Sequence, residues 1–290
     1  MKVVIGGASG YVGVALAASL LADGHQVLAL SRRPAGASAR VTSVPWDEVG
    51  GAVEGADAVV NLAGESIGAP FWTARRKESI RSSRVETTRS LAGAIEASTR
   101  RPRVLVTASG IDYYGHTREL VVDETAPPGT SFLAQVCVEW EAAAAAVPIR
   151  HVAMRTGLVI GPGAQALRLM ALPFRLFVGG PLGSGGQFFP WIHRDDLVAL
   201  YRLAIDEESL SGPLNAVAPQ QLRQREAARE LGAVLHRPAL IPTPALVLRL
   251  ALGDQADLLL HGQRAVSGRL DEFDFRYEEL RPALLDAFAR

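Results

Sequence analysis

The chain has 290 residues, 48% of them hydrophobic and 21% charged, and its thirty basic residues cancel its thirty acidic ones. Such a composition belongs to a globular protein with one large core or two smaller ones, and it removes any whole-chain electrostatic case for nucleic acid or a membrane surface. A single cysteine excludes an internal disulfide framework and a cysteine-rich metal site.

The first half alternates short apolar runs with helical patterns. Val3–Ile5, Val27–Leu30, Ala58–Leu62, Val104–Thr107 and Val152–Met154 read as buried strands. Between them, Leu16, Leu20 and Leu21 share one helical face before Gly24, and the stretch 73–97 reads as a long helix with a basic face. This βαβα rhythm predicts an α/β Rossmann fold, a doubly wound parallel sheet with helices on both faces. The expected nucleotide-binding domain covers residues 1–156, with 192–218 returning to it. Residues 157–191 and 219–290, rich in Gly and Pro at first and mixed thereafter, form a smaller irregular lobe over the carboxyl ends of the strands.

Gly7, Gly10 and Gly13 follow the first strand directly and open the first helix. Glycines there let backbone approach a pyrophosphate, while the helix N-terminus offers amides and a favourable dipole. The loop site is read over Gly7, Ser9, Gly10, Tyr11, Val12 and Gly13. An NAD enzyme usually ends its second strand with a carboxylate for the ribose 2′-hydroxyl, about 20 residues past the glycines. Here Ser31, Arg32 and Arg33 stand in that place. Guanidinium groups bind a 2′-phosphate that a carboxylate would repel, so the expected cofactor is NADP(H).

Larger motifs carry a resemblance. GGASGYVG at 6–13, NLAGESI at 61–67, WTARRKESIRSSRVETT at 72–88 and YYG at 113–115 come in order. They continue with CVEWE at 137–141, RTGLVIGPG at 155–163, GGPLGSGGQFFPWIHRDDL at 179–197 and GQRAVSGRL at 262–270. The chain resembles the extended short-chain dehydrogenase/reductase superfamily, and within it the atypical "epimerase family protein", or sugar-nucleotide-epimerase-like, branch. The tail from about residue 240 resembles a C-terminal module peculiar to that branch. In the wider superfamily a Tyr-x-x-x-Lys pair supplies the proton and holds the nicotinamide ribose. Leu133 and Cys137 stand near those two positions, so the dyad is missing.

The resemblance implies further site residues. Leu62, Ala63 and Gly64 would pass the nicotinamide ribose, with Glu65 turning into the cleft. Ser109 stands where the superfamily places its substrate-orienting serine, and Tyr113 and Tyr114 follow as candidate proton donors. Arg155 and the turn 156–163 would close over the nicotinamide end. Trp72 and Trp191 are expected at the substrate pocket. Trp72, Arg75, Arg76, Lys77, Arg81 and Arg84 make either an anion-binding surface or a solvated helix face. Cys137 lies in an apolar helical stripe with Leu133, Val136, Trp140 and Ala144, either as a buried filler or lining the nicotinamide pocket. Gln263 and Arg264 either close on substrate or cap the last helices. His193, Asp195 and Asp196 lack metal-ligand spacing, and no metal is expected.

Two functions compete on these residues. One is an NADP-dependent oxidoreductase or epimerase acting on a small polar, sugar-like substrate. The other is a non-catalytic NADP(H)-binding protein that senses redox state or serves assembly or cell division. No run of eighteen uncharged apolar residues occurs, and MKVVIGG opens without a leader-like apolar run. A cytoplasmic protein is expected, without membrane or nucleic-acid partners, as monomer or homodimer.

Overall fold

In a computed structural model, which describes residues 1–32, 41–68 and 71–289, seven strands form one parallel sheet. They are β1 (Lys2–Gly6), β2 (Gln26–Ser31), β3 (Val41–Pro45), β4 (Ala58–Asn61), β5 (Val104–Gly110), β7 (Arg150–Thr156) and β10 (Gly212–Ala216). β6 (Val121–Val122) and β11 (Arg264–Ala265) pair separately, as do β8 (Leu158–Ile160) and β9 (Trp191–His193). The sheet order β3-β2-β1-β4-β5-β7-β10 reverses direction beside β1, where a crevice opens at the strand ends. All five anticipated strands lie in it. The two additional strands sit at its edges, where half-exposed β3 and the Gly-Pro start of β10 break the apolar run that marks a buried strand.

The covering helices are α1 (Tyr11–Ala22), α2 (Val49–Val53), α3 (Ala74–Ala97), α4 (Phe132–Ala145) and α6 (Arg194–Asp206). One core packs α1 and α6 on one sheet face, with Leu16, Leu20, Leu200 and Tyr201 meeting Val3, Ile5, Val106 and Met154. A second core covers the opposite face, where Leu91 and Ile95 of α3 and Ala144 of α4 meet Val4, Val59 and Leu105. Apolar side chains on both faces of a strand leave no polar alternation, which is why these strands read as continuous runs. Thr73 caps α3, its side chain accepting from the Arg76 amide, so the helix begins where the sequence expects.

The lobe consists of α5 (Gln165–Arg175), α7 (Gln224–Leu235), α8 (Ala245–Leu252), α9 (Asp257–Leu260) and α10 (Leu280–Phe288). It has its own core of Leu167, Phe174, Trp191, Leu231, Leu280 and Leu284. Buried Asp196 on α6 ties the tail to the sheet domain by accepting the Arg276 and Tyr277 amides. Among the described residues no helix is long and apolar enough to cross a membrane.

Candidate active site at the strand ends

The glycine loop is built for contact with backbone. Gly7 has φ of +80°, and a Cβ there would meet the Leu62 carbonyl carbon at 2.7 Å. A Cβ on Gly13 would stand 2.3 Å from the Gly7 carbonyl oxygen. The loop is therefore locked against the residues that follow β4, and the α1 N-terminus faces the crevice. Ser9 and Gly10 are exposed beside an open groove of ≈ 370 Å³, shared with Pro162, Gly163 and Arg194. Val12 packs on the sheet core. The Tyr11 ring turns toward the lobe core and Arg194, so only its backbone stays with the loop. At the end of β2, Ser31 is half-buried and Arg32 is exposed, with no ion-pair partner for Arg32 among the described residues. Arg33 lies outside the described residues.

Past β4, buried Asn61 shapes the chain: its Oδ1 accepts the Ala63 amide and its Nδ2 donates to Thr88. The Leu62 amide donates to Gly6. Glu65 is held on α3, accepting from Arg76 and from the Ser79 hydroxyl, while its amide donates to Ser83. Trp72 is buried, donates its indole N–H to Ile67, meets Phe132 edge to face and packs with Ile80 and Leu133.

A buried polar chain runs behind the cleft. Ser109 donates to Glu141 Oε1 at 2.6 Å. Arg155 grips the same carboxylate with Nε and Nη2, at 2.9 and 2.8 Å, and donates from Nη1 to the Tyr114 hydroxyl at 2.8 Å. Tyr114 donates in turn to Asn215 Oδ1, and Asn215 donates to Val266 in the tail. Burial would lower the Arg155 pKa, but the hydrogen bonds and charge of Glu141 outweigh it and hold the guanidinium above its ordinary value. Burial raises the Tyr114 pKa against the opposing pull of Arg155.

This chain alters three expectations. Ser109, Tyr114 and Arg155 are spent on one another and on Glu141, because a buried ion pair requires its remaining donors and acceptors to be satisfied. Through these bonds they brace the strand ends. Tyr113 is different: half-buried, it lies under the Arg155 guanidinium at 3.4 Å from the ring centroid. Its hydroxyl has no hydrogen-bond partner among the described residues. Trp191 does not line an open cleft either. At 1% exposure it fills the lobe core, since β9 pairs with β8 and turns the ring inward.

Cys137 occupies the apolar stripe of α4, all of whose named members are buried. Its Sγ lies 3.7 Å from the Gly110 carbonyl oxygen, and burial pushes the thiol up to about 12. It therefore stays protonated and neutral, and cannot supply the charge of a lysine. Asp112 was not anticipated by any sequence pattern. Its Oδ2 would stand 3.5 Å from a Cβ on Gly110 and the Cys137 Sγ 3.6 Å from it, so both flank the end of β5. Burial raises the Asp112 carboxyl to about 6, opposed by its own backbone N–H and by Arg84.

The tail closes one side. Gln263 donates to the Gly115 carbonyl, and Arg264 to Gln221. His193 caps α6, accepting the Asp195 amide, with Nε2 at 3.2 Å from Asp286. One potential ligand cluster escaped the sequence: His116, Asp257 and His261 each place a ligand atom within 4.8 Å of the others. The positive charges of Arg249 and Arg118 bear on His261 and oppose a cation there.

With this geometry in hand, comparison places the chain among known proteins. Residues 3–216 match the model of the NAD dependent epimerase/dehydratase family, and residues 243–287 match a domain of unknown function, DUF1731. The chain belongs to the NAD dependent epimerase/dehydratase family. The human "Epimerase family protein SDR39U1" is 40% identical, with all of both chains covered. The Arabidopsis thaliana homolog, described as chloroplastic, is 38% identical over 98% of this chain and 86% of its own. A crystal structure of the human epimerase family protein with NADPH superposes with a TM-score of 0.92 at 38% identity, covering 99% of each chain.

Proposed function

We propose that this epimerase-family protein binds NADP(H) across the β1 and β4 strand ends and transfers hydride to or from a small polar substrate. The observation that carries the reading is the loop itself, where Gly7 and Gly13 have no room for a side chain, so backbone amides and the α1 N-terminus are presented to a pyrophosphate. The end of β2 offers Arg32 and no carboxylate, which suits a 2′-phosphate. That the human relative crystallises with NADPH supports the same assignment. When bound, the nicotinamide would supply the hydride, and the protein must then position substrate and move a proton.

Among the residues named for the proton, Tyr113 suits the task best, because its hydroxyl is uncommitted while Ser109 and Tyr114 are not. Leu62–Gly64 would lie along the nicotinamide ribose, with Cys137 and Gly110 forming the floor nearby. A second reading, binding without turnover, draws support from Leu133 and Cys137, two buried side chains that offer neither a proton at neutral pH nor a charge. We propose a cytoplasmic placement, which a chain with a single cysteine suits. It is not general to relatives, since the Arabidopsis protein is described as chloroplastic.

Fluorescence titration with NADPH and NADH tests the cofactor assignment. The wild type should prefer NADPH, and Arg32→Ala should lose about tenfold in NADPH affinity, or about 1.4 kcal/mol, with NADH unchanged. Equal losses for both nucleotides would remove Arg32 from the phosphate site. A carbonyl screen with NADPH then separates turnover from binding: activity abolished in Tyr113→Phe and retained in Tyr114→Phe supports the hydride reading.

A further inference from the structure

Six cationic or aromatic side chains gather at the start of α3, and the fold assigns them different tasks. Trp72 is buried, Arg75 is exposed, and Arg76 pairs with Glu65. Lys77 pairs with Asp254, and Arg81 pairs with Glu78 and Glu139. Arg84 packs against the chain that follows β4. Its guanidinium carbon would stand 3.1 Å from a Cβ on Gly64, so the side chain lies flat against the backbone that follows β4. It lies 5.3 Å from the Trp140 ring centroid, and Nη1 donates to the Ile80 carbonyl at 2.9 Å.

Arg84 has no carboxylate within ion-pair distance among the described residues. Glu65, the nearest acid on its own side of the crevice, is already engaged by Arg76 and Ser79. Burial holds the Arg84 guanidinium below its ordinary pKa, with Arg76 acting in the same direction and the carboxylates of Glu65 and Asp112 the other way. Apart from Nη1, the guanidinium has no protein acceptor among the described residues, and a largely buried cation is stabilised when an anion completes it. Asp112 bears on it as well, but makes no ion pair with it among the described residues.

We infer that Arg84 is the anchor for a carboxylate on the substrate, so that the protein acts on a small hydroxy or oxo acid, a uronic acid included. The inference rests on the cofactor reading above, because it sets the carboxylate beside the nicotinamide end of that site. The planar guanidinium matches a carboxylate through two parallel hydrogen bonds, and Gly64 is what allows it to lie so close to the strand end. Asp112, Tyr113 and Cys137 then border the rest of the bound acid.

Calorimetry on NADP⁺-saturated protein tests this, since NADP⁺ cannot reduce an oxo acid and the complex stays intact. The probes are oxalate and pyruvate, with acetone as the uncharged counterpart of pyruvate; sugars are left out because NADP⁺ could oxidise their hydroxyls. At least one carboxylate should bind while acetone does not. Arg84→Gln should weaken that binding by tenfold or more, and Arg84→Lys should recover part of it. NADP⁺ affinity should change less than twofold in both variants. No carboxylate binding while NADP⁺ binds, or unchanged binding in Arg84→Gln, overturns the inference and leaves the cofactor reading standing. A matching loss of NADP⁺ affinity in both variants overturns it too, by making Arg84 a cofactor contact. Failure of NADP⁺ to bind wild type removes the cofactor reading and this inference together. If Arg84→Gln does not fold, Arg84→Lys decides, since a lysine lacks the fork and should still lose severalfold.

Discussion

Asp112 shows what a single side chain does when the fold gives it no partner. Its folded pKa of about 6 stands above its ordinary value of 3.8, so folding favours protonated Asp112 relative to the unfolded chain. The charged group facing it is Arg84 on α3; its own amide and the neutral thiol of Cys137 on α4 lie beside it. Stability tied to this group is therefore fully present below pH 3.8 and is lost as pH rises through about 6. Asp112→Asn should melt close to wild type near pH 4 and above it at pH 8, with the gap opening mainly between those values. A melting difference that is flat from pH 4 to 8 would show that Asp112 is solvated. Nothing at position 112 announces this in the sequence, because an Asp in a turn is ordinary. Cys137 was more legible: its place in an apolar stripe at helical spacing foretold burial, and burial sets its titration.

The loop between β1 and α1 shows how far pattern reaches at the level of an element. Three glycines after a buried strand announced a tight backbone approach, and the structure supplies what they approach. Gly13→Ala drives a methyl group onto backbone atoms at 2.3 and 2.8 Å that cannot rotate away. It should cost more than tenfold in NADPH affinity and lower the melting temperature. Gly24→Ala is the control: φ is +78° with nothing within 4 Å of the added Cβ, so only about 1–2 kcal/mol of left-handed strain is expected, with binding intact. Equal binding by both variants would mean that the glycine loop does not meet the nucleotide. The basic start of α3 was less legible. Spacing along a helix shows which residues share a face, but not which face another element will cover. Arg76, Lys77 and Arg81 find acids from three different segments, and Arg84 packs against the chain that follows β4.

Over the molecule as a whole, the tail is fastened to the nucleotide-binding half at a few polar points. Asp196 holds two consecutive amides of the tail, and Asn215 at the sheet edge holds Val266. Asp196→Ala should leave two amides without partners, at about 1–3 kcal/mol each. Limited proteolysis should then cut between residues 266 and 279 faster than in wild type, while NADPH affinity stays within twofold. Resistance equal to that of wild type would mean that packing of Leu280 and Leu284 alone holds the tail.

Local chemistry determined the parallel sheet, the long capped helix and the phosphate loop, because each depends on neighbours a few residues apart. Apolar runs, glycines and caps carry that information along the chain. Tertiary structure alone decided which polar groups are spent and which are left over. Ser109, Glu141, Arg155, Tyr114 and Asn215 come from five separate segments and satisfy one another only when β5, β7 and β10 lie side by side. The same folding leaves Arg84 without an ion-pair acid among the described residues and puts Trp191 in the lobe core. Burial and pairing are properties of the assembled crevice, and no single segment of sequence contains them.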